Sequence, residues 1–300
     1  MSTQAGNHVL VGVDGSECSL AAVRAAAAEA ASRGRPLRIV HAFIWPMMHV
    51  AVGPAAGGPP SSGLRYNAEQ MLSEAAAEAL KEAPDLSVET ALVDGAAVPV
   101  LLHESRHAAL LVLGDRGLGG FTGLIVGSVA VQAAAHAACP VLVIRGAERR
   151  AGPVVVGVDG SPVSTLALEF AAEAAARLGA ELAAVHTWQH PVSTGAGDML
   201  PLVYDAERLE TEEGLLLAEC TAGLGERYPD LVVHRHLERG RPGHHLVEWS
   251  RRARLLVVGA RGRGGFTGLL LGSVSQAVLH HSACPVAIVR AMPTPAPADR

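Results

Sequence analysis

Gly114-Asp-Arg-Gly117-Leu-Gly119-Gly120-Phe-Thr-Gly123-Leu-Ile-Val-Gly127-Ser128 returns 145 residues later as Gly259-Ala-Arg-Gly262-Arg-Gly264-Gly265-Phe-Thr-Gly268-Leu-Leu-Leu-Gly272-Ser273. The match continues without a gap to Arg145 and Arg290, with 18 of 32 positions identical. The same offset carries Val11-Gly12-Val-Asp14-Gly15-Ser16 onto Val156-Gly157-Val-Asp159-Gly160-Ser161, His41 onto His186, and Gly95 onto Gly240. Chance does not produce that agreement. The period is far longer than a solenoid repeat, so each copy is a full domain. The first is read as residues 8–145 and the second as residues 153–290. Residues 146–152 form a short polar linker, and the proline-bearing tail 291–300 is expected to be disordered.

Composition agrees with two packed domains. The 300 residues amount to two units of ~150 residues each. Hydrophobic residues make up 49% and charged residues only 18%, which supplies cores and excludes a disordered chain. A net charge of -5 argues against a basic nucleic-acid face and against polybasic membrane attachment. No uninterrupted apolar stretch reaches the ~20 residues of a membrane span, and Met1–Asn7 lacks the features of a signal peptide. A cytoplasmic location is expected. Cys18, Cys139, Cys220 and Cys284 show no CxxC spacing, so they read as reduced, buried small hydrophobes. Lys81 is the single lysine beside 23 arginines, and no Gly-Lys-Ser/Thr triplet exists. That excludes a Walker A loop, and it argues against a kinase strand lysine and a Schiff-base lysine.

Within a copy, short β-branched runs alternate with helical stretches. In the first, strands are read at Val9–Val13, Leu37–Phe43, Leu86–Val93, Leu110–Leu113 and Val141–Ile144. Helices are read at Ser16–Ser32, Leu64–Glu82, Val98–His107 and Ser128–Ala138, with Ser16 as N-cap and Gly34 ending the first. Trp45–Ser62 reads as a long loop rich in Pro and Gly, and Asp115–Val126 as a glycine-rich loop. Such alternation implies an α/β fold, a Rossmann-like parallel sheet with helices on both faces. Ligands of such sheets bind beyond the carboxyl ends of the strands, where the strand order switches. Both repeated segments fall there.

The glycine-dense loop can turn its amides toward one point and let its backbone approach a ligand closely. It then enters a helix at Ser128 or Ser273, whose free N–H groups favour an anion. Arg116 and Arg261 supply positive charge, so a polyphosphate suits the site. The competing reading is a flexible loop ending in a Ser N-cap. Asp14 and Asp159 end the first strand of each copy; each can contact ribose, base or a phosphate-bound Mg²⁺, or close an Asx turn. A nicotinamide fingerprint is absent, because Asp14-Gly15-Ser16 rather than GxGxxG follows the first strand. His234-x-His236 shares one strand face without a third ligand nearby, so the histidines read as surface or capping residues. Trp45, Trp188 and Trp249 read as packing residues.

At these residues the chain resembles the universal stress protein family in its tandem, adenine nucleotide alpha hydrolase-like form. The family's nucleotide-binding pattern, Gly-2x-Gly-9x-Gly-Ser/Thr, matches Gly114, Gly117, Gly127 and Ser128, and again Gly259, Gly262, Gly272 and Ser273. Its first-strand aspartate matches Asp14 and Asp159, and Cys-Pro-Val before the last strand matches Cys139 and Cys284. The resemblance implies a five-stranded parallel sheet per domain and one ATP site per domain with Mg²⁺. It places adenine at the backbone of Ala42 and Thr187, after His41 and His186. The remaining contacts it implies are Gly12, Asp115, Arg116, Leu118, Gly119, Gly120 and Val129, with Gly157, Ala260, Arg261, Arg263, Gly264, Gly265 and Val274 in the second copy. It also implies pairing through the last strand as an internal pseudo-dimer, and a homodimer. Two departures are Ala109 and Arg254, where the family often has Asp, and Asp115, where a small or neutral residue is usual. A carboxylate beside phosphates predicts weaker ATP binding at the first site.

Three functions remain open: a regulatory ATP sensor with unidentified protein partners, a slow ATPase or phosphotransferase, and a nucleotide-free interaction module. No second carboxylate or His stands in the glycine loop to activate water, which favours the sensor.

Overall fold

The computed structural model describes residues 7–44, 63–118, 126–146, 151–189, 206–263 and 270–291. The readings made above for Trp45–Ser62, for Gly119, Gly120, Gly264 and Gly265, and for the tail from Met292 onward lie outside them. The chain forms two compact units that meet in sequence at Arg145 and Gly146.

In the first unit β1 (His8–Gly12), β2 (Leu37–Phe43), β3 (Val88–Asp94), β4 (Ala108–Gly114) and β5 (Val141–Ile144) run parallel in the order β3-β2-β1-β4-β5. The helices between them are α1 (Glu17–Ser32), α2 (Leu64–Glu82), α3 (Ala97–Glu104) and α4 (Ser128–His136). Val11 lies opposite Ile39 on one side and Val112 on the other. All three are fully buried, because a parallel sheet covered on both faces has no wet side. β3 is an edge strand and half exposed.

The second unit repeats the plan. Its strands are β6 (Val154–Val158), β7 (Leu182–Trp188), β8 (Val233–Arg239), β9 (Leu255–Gly259) and β10 (Val286–Val289), ordered β8-β7-β6-β9-β10. Its helices are α5 (Pro162–Leu178), α6 (Ala206–Cys220), α7 (Leu224–Arg227), α8 (Pro242–Ser250) and α9 (Ser273–His281). α7 was not foreseen. Among the described residues, no helix is long and apolar enough to cross a membrane.

Local chemistry sets the helix ends. Ser16 and Ser161 cap α1 and α5 by accepting from the N–H of Ser19 at 3.1 Å and of Ser164 at 3.2 Å. Such a cap is worth about 1 kcal/mol. The buried face of α1 is Ala22, Val23, Ala26, Ala27 and Ala30, whose small side chains let the helix lie close to the sheet. The helix read as Val98–His107 stops at Glu104 and tightens into a 3-10 turn over Ser105–His107. The Ser105 hydroxyl explains the change: it donates to the Leu102 carbonyl at 2.8 Å and accepts from the Ala138 N–H at 3.0 Å. The helix read as Ser128–Ala138 ends at His136, since Ala137 is already extended on the way to Cys139-Pro140. Gly127, not Ser128, is the N-cap of α4, and Gly272 is that of α9.

Candidate functional site

The chain leaves β1 outward through β2 and β3, then returns to place β4 on β1's other side. That reversal opens a crevice above the ends of β1 and β4, and β6 and β9 repeat it. Both repeated motifs stand at this crevice.

The aspartate after the first strand ties the two motifs together. Asp14 Oδ1 accepts from the Ser16 N–H at 3.0 Å and the Ser16 hydroxyl at 2.7 Å, and Oδ2 accepts from the Leu118 N–H at 2.8 Å. Asp159 does the same with the N–H groups of Ser161 and Arg263, both at 2.9 Å. Burial alone would raise both carboxyls. The hydrogen bonds, led by those from Ser16 and from Ser161, outweigh it and hold both below the ordinary carboxylate range. The Asx turn thus forms at both positions, and the same carboxylate also anchors the glycine-rich loop. Gly117 and Gly262 allow this, because a Cβ at either would overlap Oδ2 of the aspartate.

The loop base is fixed by backbone. The Asp115 and Ala260 N–H groups donate to Ile144 at 3.0 Å and Val289 at 2.7 Å. Their carbonyls accept from Gly127 at 2.7 Å and Gly272 at 2.8 Å. Those two glycines open α4 and α9, and neither helix start has a side-chain cap, so its N–H groups remain available to an anion. His41 and His186 donate from Nδ1 to the carbonyls of Val13 at 2.8 Å and Val158 at 2.7 Å, which ties the second strand's end to the first. His186 Nε2 also meets Glu213 at 2.6 Å; Ala68 occupies the equivalent place in the first half.

In the second half these parts enclose a cavity of about 430 Å³. Its lining includes the apolar Val158, Val185, Leu246 and Val258 together with Arg261, Arg263, Gly272 and Ser273. Such a volume suits a small ligand, and the mixed lining suits an apolar ring joined to an anion. Of the residues expected here, Gly157, Asp159, Thr187, Gly259, Gly262 and Val274 also line it. Ala260 does not: it is buried, and its carbonyl closes the loop base. Val158, Ser164, Val185, Pro242, Leu246, Val258, Leu271 and Ser275 were missed. Pro242 and Leu246 follow Gly240, a position shared by both copies, so the repeat did signal that turn.

In the first half Gly12 and Gly114 end β1 and β4, Asp14 is bonded to Leu118 and Asp115 to Gly127, and Arg116, Gly117 and Ser128 adjoin these residues in sequence. Val129 follows Ser128 in the first turn of α4, and Ala42 sits near the end of β2 opposite Val93. His234 and His236 lie with ring centroids 6.3 Å apart, and His236 packs on Trp249 at 4.4 Å. Trp249 is buried and stacks under Arg252, as a packing residue does. No group of three or more metal-ligating side chains occurs among the described residues.

The chain has known relatives in sequence and in fold. The universal stress protein family model matches residues 6–145 and again 151–290. A universal stress protein of Mycobacterium tuberculosis is 41% identical over 292 residues, covering 94% of this chain and 96% of its own. One from Mycolicibacterium smegmatis is 37% identical over 289 residues, again 94% and 96%. The crystal structure of a universal stress protein from Archaeoglobus fulgidus aligns over 96% of this chain and 98% of its own, with a TM-score of 0.67 at 20% identity, a likeness of fold. The chain belongs to the universal stress protein family and carries two of its domains in tandem.

Proposed function

We propose that the protein is a regulatory nucleotide sensor in the cytoplasm that binds one ATP in each domain. The observation that carries this reading is the second-half cavity, lined by apolar side chains and by Arg261 and Arg263, with the uncapped start of α9 in its wall. Adenine lies against the apolar lining beside Thr187, with Ala42 its counterpart in the first half. The phosphates lie at the glycine-rich loop and the helix start.

The Mg²⁺ that accompanies ATP fits these residues on limited terms. Asp159 accepts one backbone hydrogen bond on each oxygen, from Ser161 and Arg263, so each oxygen keeps one lone pair. Asp14 is engaged in the same way, its Oδ1 also accepting from the Ser16 hydroxyl. Mg²⁺ held mainly by phosphate oxygens needs no more than that from the protein. When bound, it neutralises phosphate charge.

A sensor is favoured over a hydrolase by the same carboxylates. A group held below the ordinary carboxylate range accepts a proton poorly, and its hydrogen bonds aim it at the loop rather than at a water. The test is to incubate the protein with Mg²⁺ and excess ATP, separate bound from free nucleotide, and assay both for ADP. Bound ATP that remains ATP over hours, without ADP in solution, is expected. Sustained ADP release would replace the sensor with an ATPase.

A further inference from the structure

We infer that the two halves discriminate phosphate charge differently: the second-half site selects a nucleoside triphosphate over a monophosphate, and the first-half site does not. The inference rests on the nucleotide reading above. The difference lies at two positions of the loop. In the second half, Arg261 and Arg263 are exposed and line the cavity, and among the described residues neither guanidinium forms an ion pair. Arg263 lies against Gly160 in the turn after β6. Burial and the Arg261 charge together hold the Arg290 guanidinium below its ordinary value. Ala260 adds no charge, and Ser275 locks the loop base by donating to the carbonyls of Gly259 at 2.7 Å and Ala260 at 3.2 Å.

The first half has Asp115, Leu118 and Ala130 at the positions of Ala260, Arg263 and Ser275. The Asp115 carboxylate is largely covered and lies 3.9 Å from Nε of Arg116. Cys18 sits beside this pair, its thiol pushed up by burial and by the Asp115 charge. Leu118 points into solvent, 74% exposed. Two unpaired cations in one loop thus face a neutral Asp–Arg pair in the other. ATP carries about two more negative charges than AMP, so the second site should gain at least ~tenfold on that comparison at low salt.

Single-site forms of the full chain test this. A Cβ at Gly127 or Gly272 meets nothing closer than 3.5 Å, so Gly127→Glu or Gly272→Glu should fold while placing a carboxylate at one phosphate end. Affinities for ATP, ADP and AMP are then measured by calorimetry in EDTA at low salt. With the first site closed by G127E, ATP should bind at least ~tenfold tighter than AMP. Adding Arg263→Leu, an exposed residue exchanged for its first-half counterpart, should cut that ratio several-fold, and Ala260→Asp should reduce it further. With the second site closed by G272E, the ratio should be near one or reversed. Equal ATP-to-AMP ratios in both forms would overturn the inference and leave the nucleotide reading standing. Folded variants that bind no adenine nucleotide would overturn both.

Discussion

Asp14 receives three hydrogen bonds and Asp159 two, and in each case one comes from the glycine-rich loop. An asparagine has a single acceptor oxygen where two are needed, so Asp159→Asn leaves a donor facing a donor. It should destabilise the second half by about 1–3 kcal/mol and weaken ATP binding there, read by urea unfolding and calorimetry. The pH dependence has a definite sign. A carboxyl lowered in the folded state stabilises fully above its unfolded value of ~3.9, and that contribution is lost as pH falls through the lowered folded value. Acid should therefore loosen the wild-type protein more than the Asp14→Asn, Asp159→Asn double variant, measured as urea midpoints between pH 6 and pH ~3. Burial also pushes the Cys139 thiol up to about 12. A thiol reagent at neutral pH should leave Cys139 unlabelled until the protein unfolds, as peptide mapping by mass spectrometry would report. Labelling in the native state would contradict the burial of Cys139 just before β5.

Single elements are held by contacts of unequal visibility. Ser16 and Ser161 announce their caps, because a Ser before an alanine-rich run is a local signal. Ser105 and Ser250 announce nothing. Each is fully buried and accepts from a backbone N–H 33 residues ahead, Ala138 at 3.0 Å and Ala283 at 2.9 Å. That bond depends on how a helix end meets the turn before the last strand, and spacing in sequence does not encode it. Ser250→Ala should strand the half-buried Ala283 N–H and destabilise the second half by about 1–3 kcal/mol, seen as a lower urea midpoint. The glycine loop shows the same division. Its position after the fourth strand and its passage into a helix are written in the glycines. Its anchoring by Asp14 or Asp159 is not, since the partners lie 104 residues apart. The apolar wall from Leu246 and Val258 escaped notice for a related reason: a buried Leu or Val looks alike whether it faces a core or a ligand.

Across the whole molecule, one offset of 145 residues in sequence becomes one set of bonds made twice. Aspartate to loop is 2.8 and 2.9 Å, histidine to first-strand carbonyl is 2.8 and 2.7 Å, and serine to last-turn N–H is 3.0 and 2.9 Å. The duplication was legible because whole motifs recur in order. The parallel sheet of each half followed from the alternation of strand and helix, whereas the strand order is seen only in the structure. Residues that make the halves unequal, such as Ala260, Arg263 and Ser275, could be seen as differences but were given meaning only by the cavity and loop base around them. Both halves are proposed to hold ATP. The direct measurement is to heat-denature the purified protein, identify released nucleotide by mass spectrometry, and count moles per chain, with equilibrium dialysis against Mg²⁺ and ATP for any empty fraction. Saturation near two moles of intact ATP per chain is the predicted result. No nucleotide released and none taken up by folded protein would contradict the account.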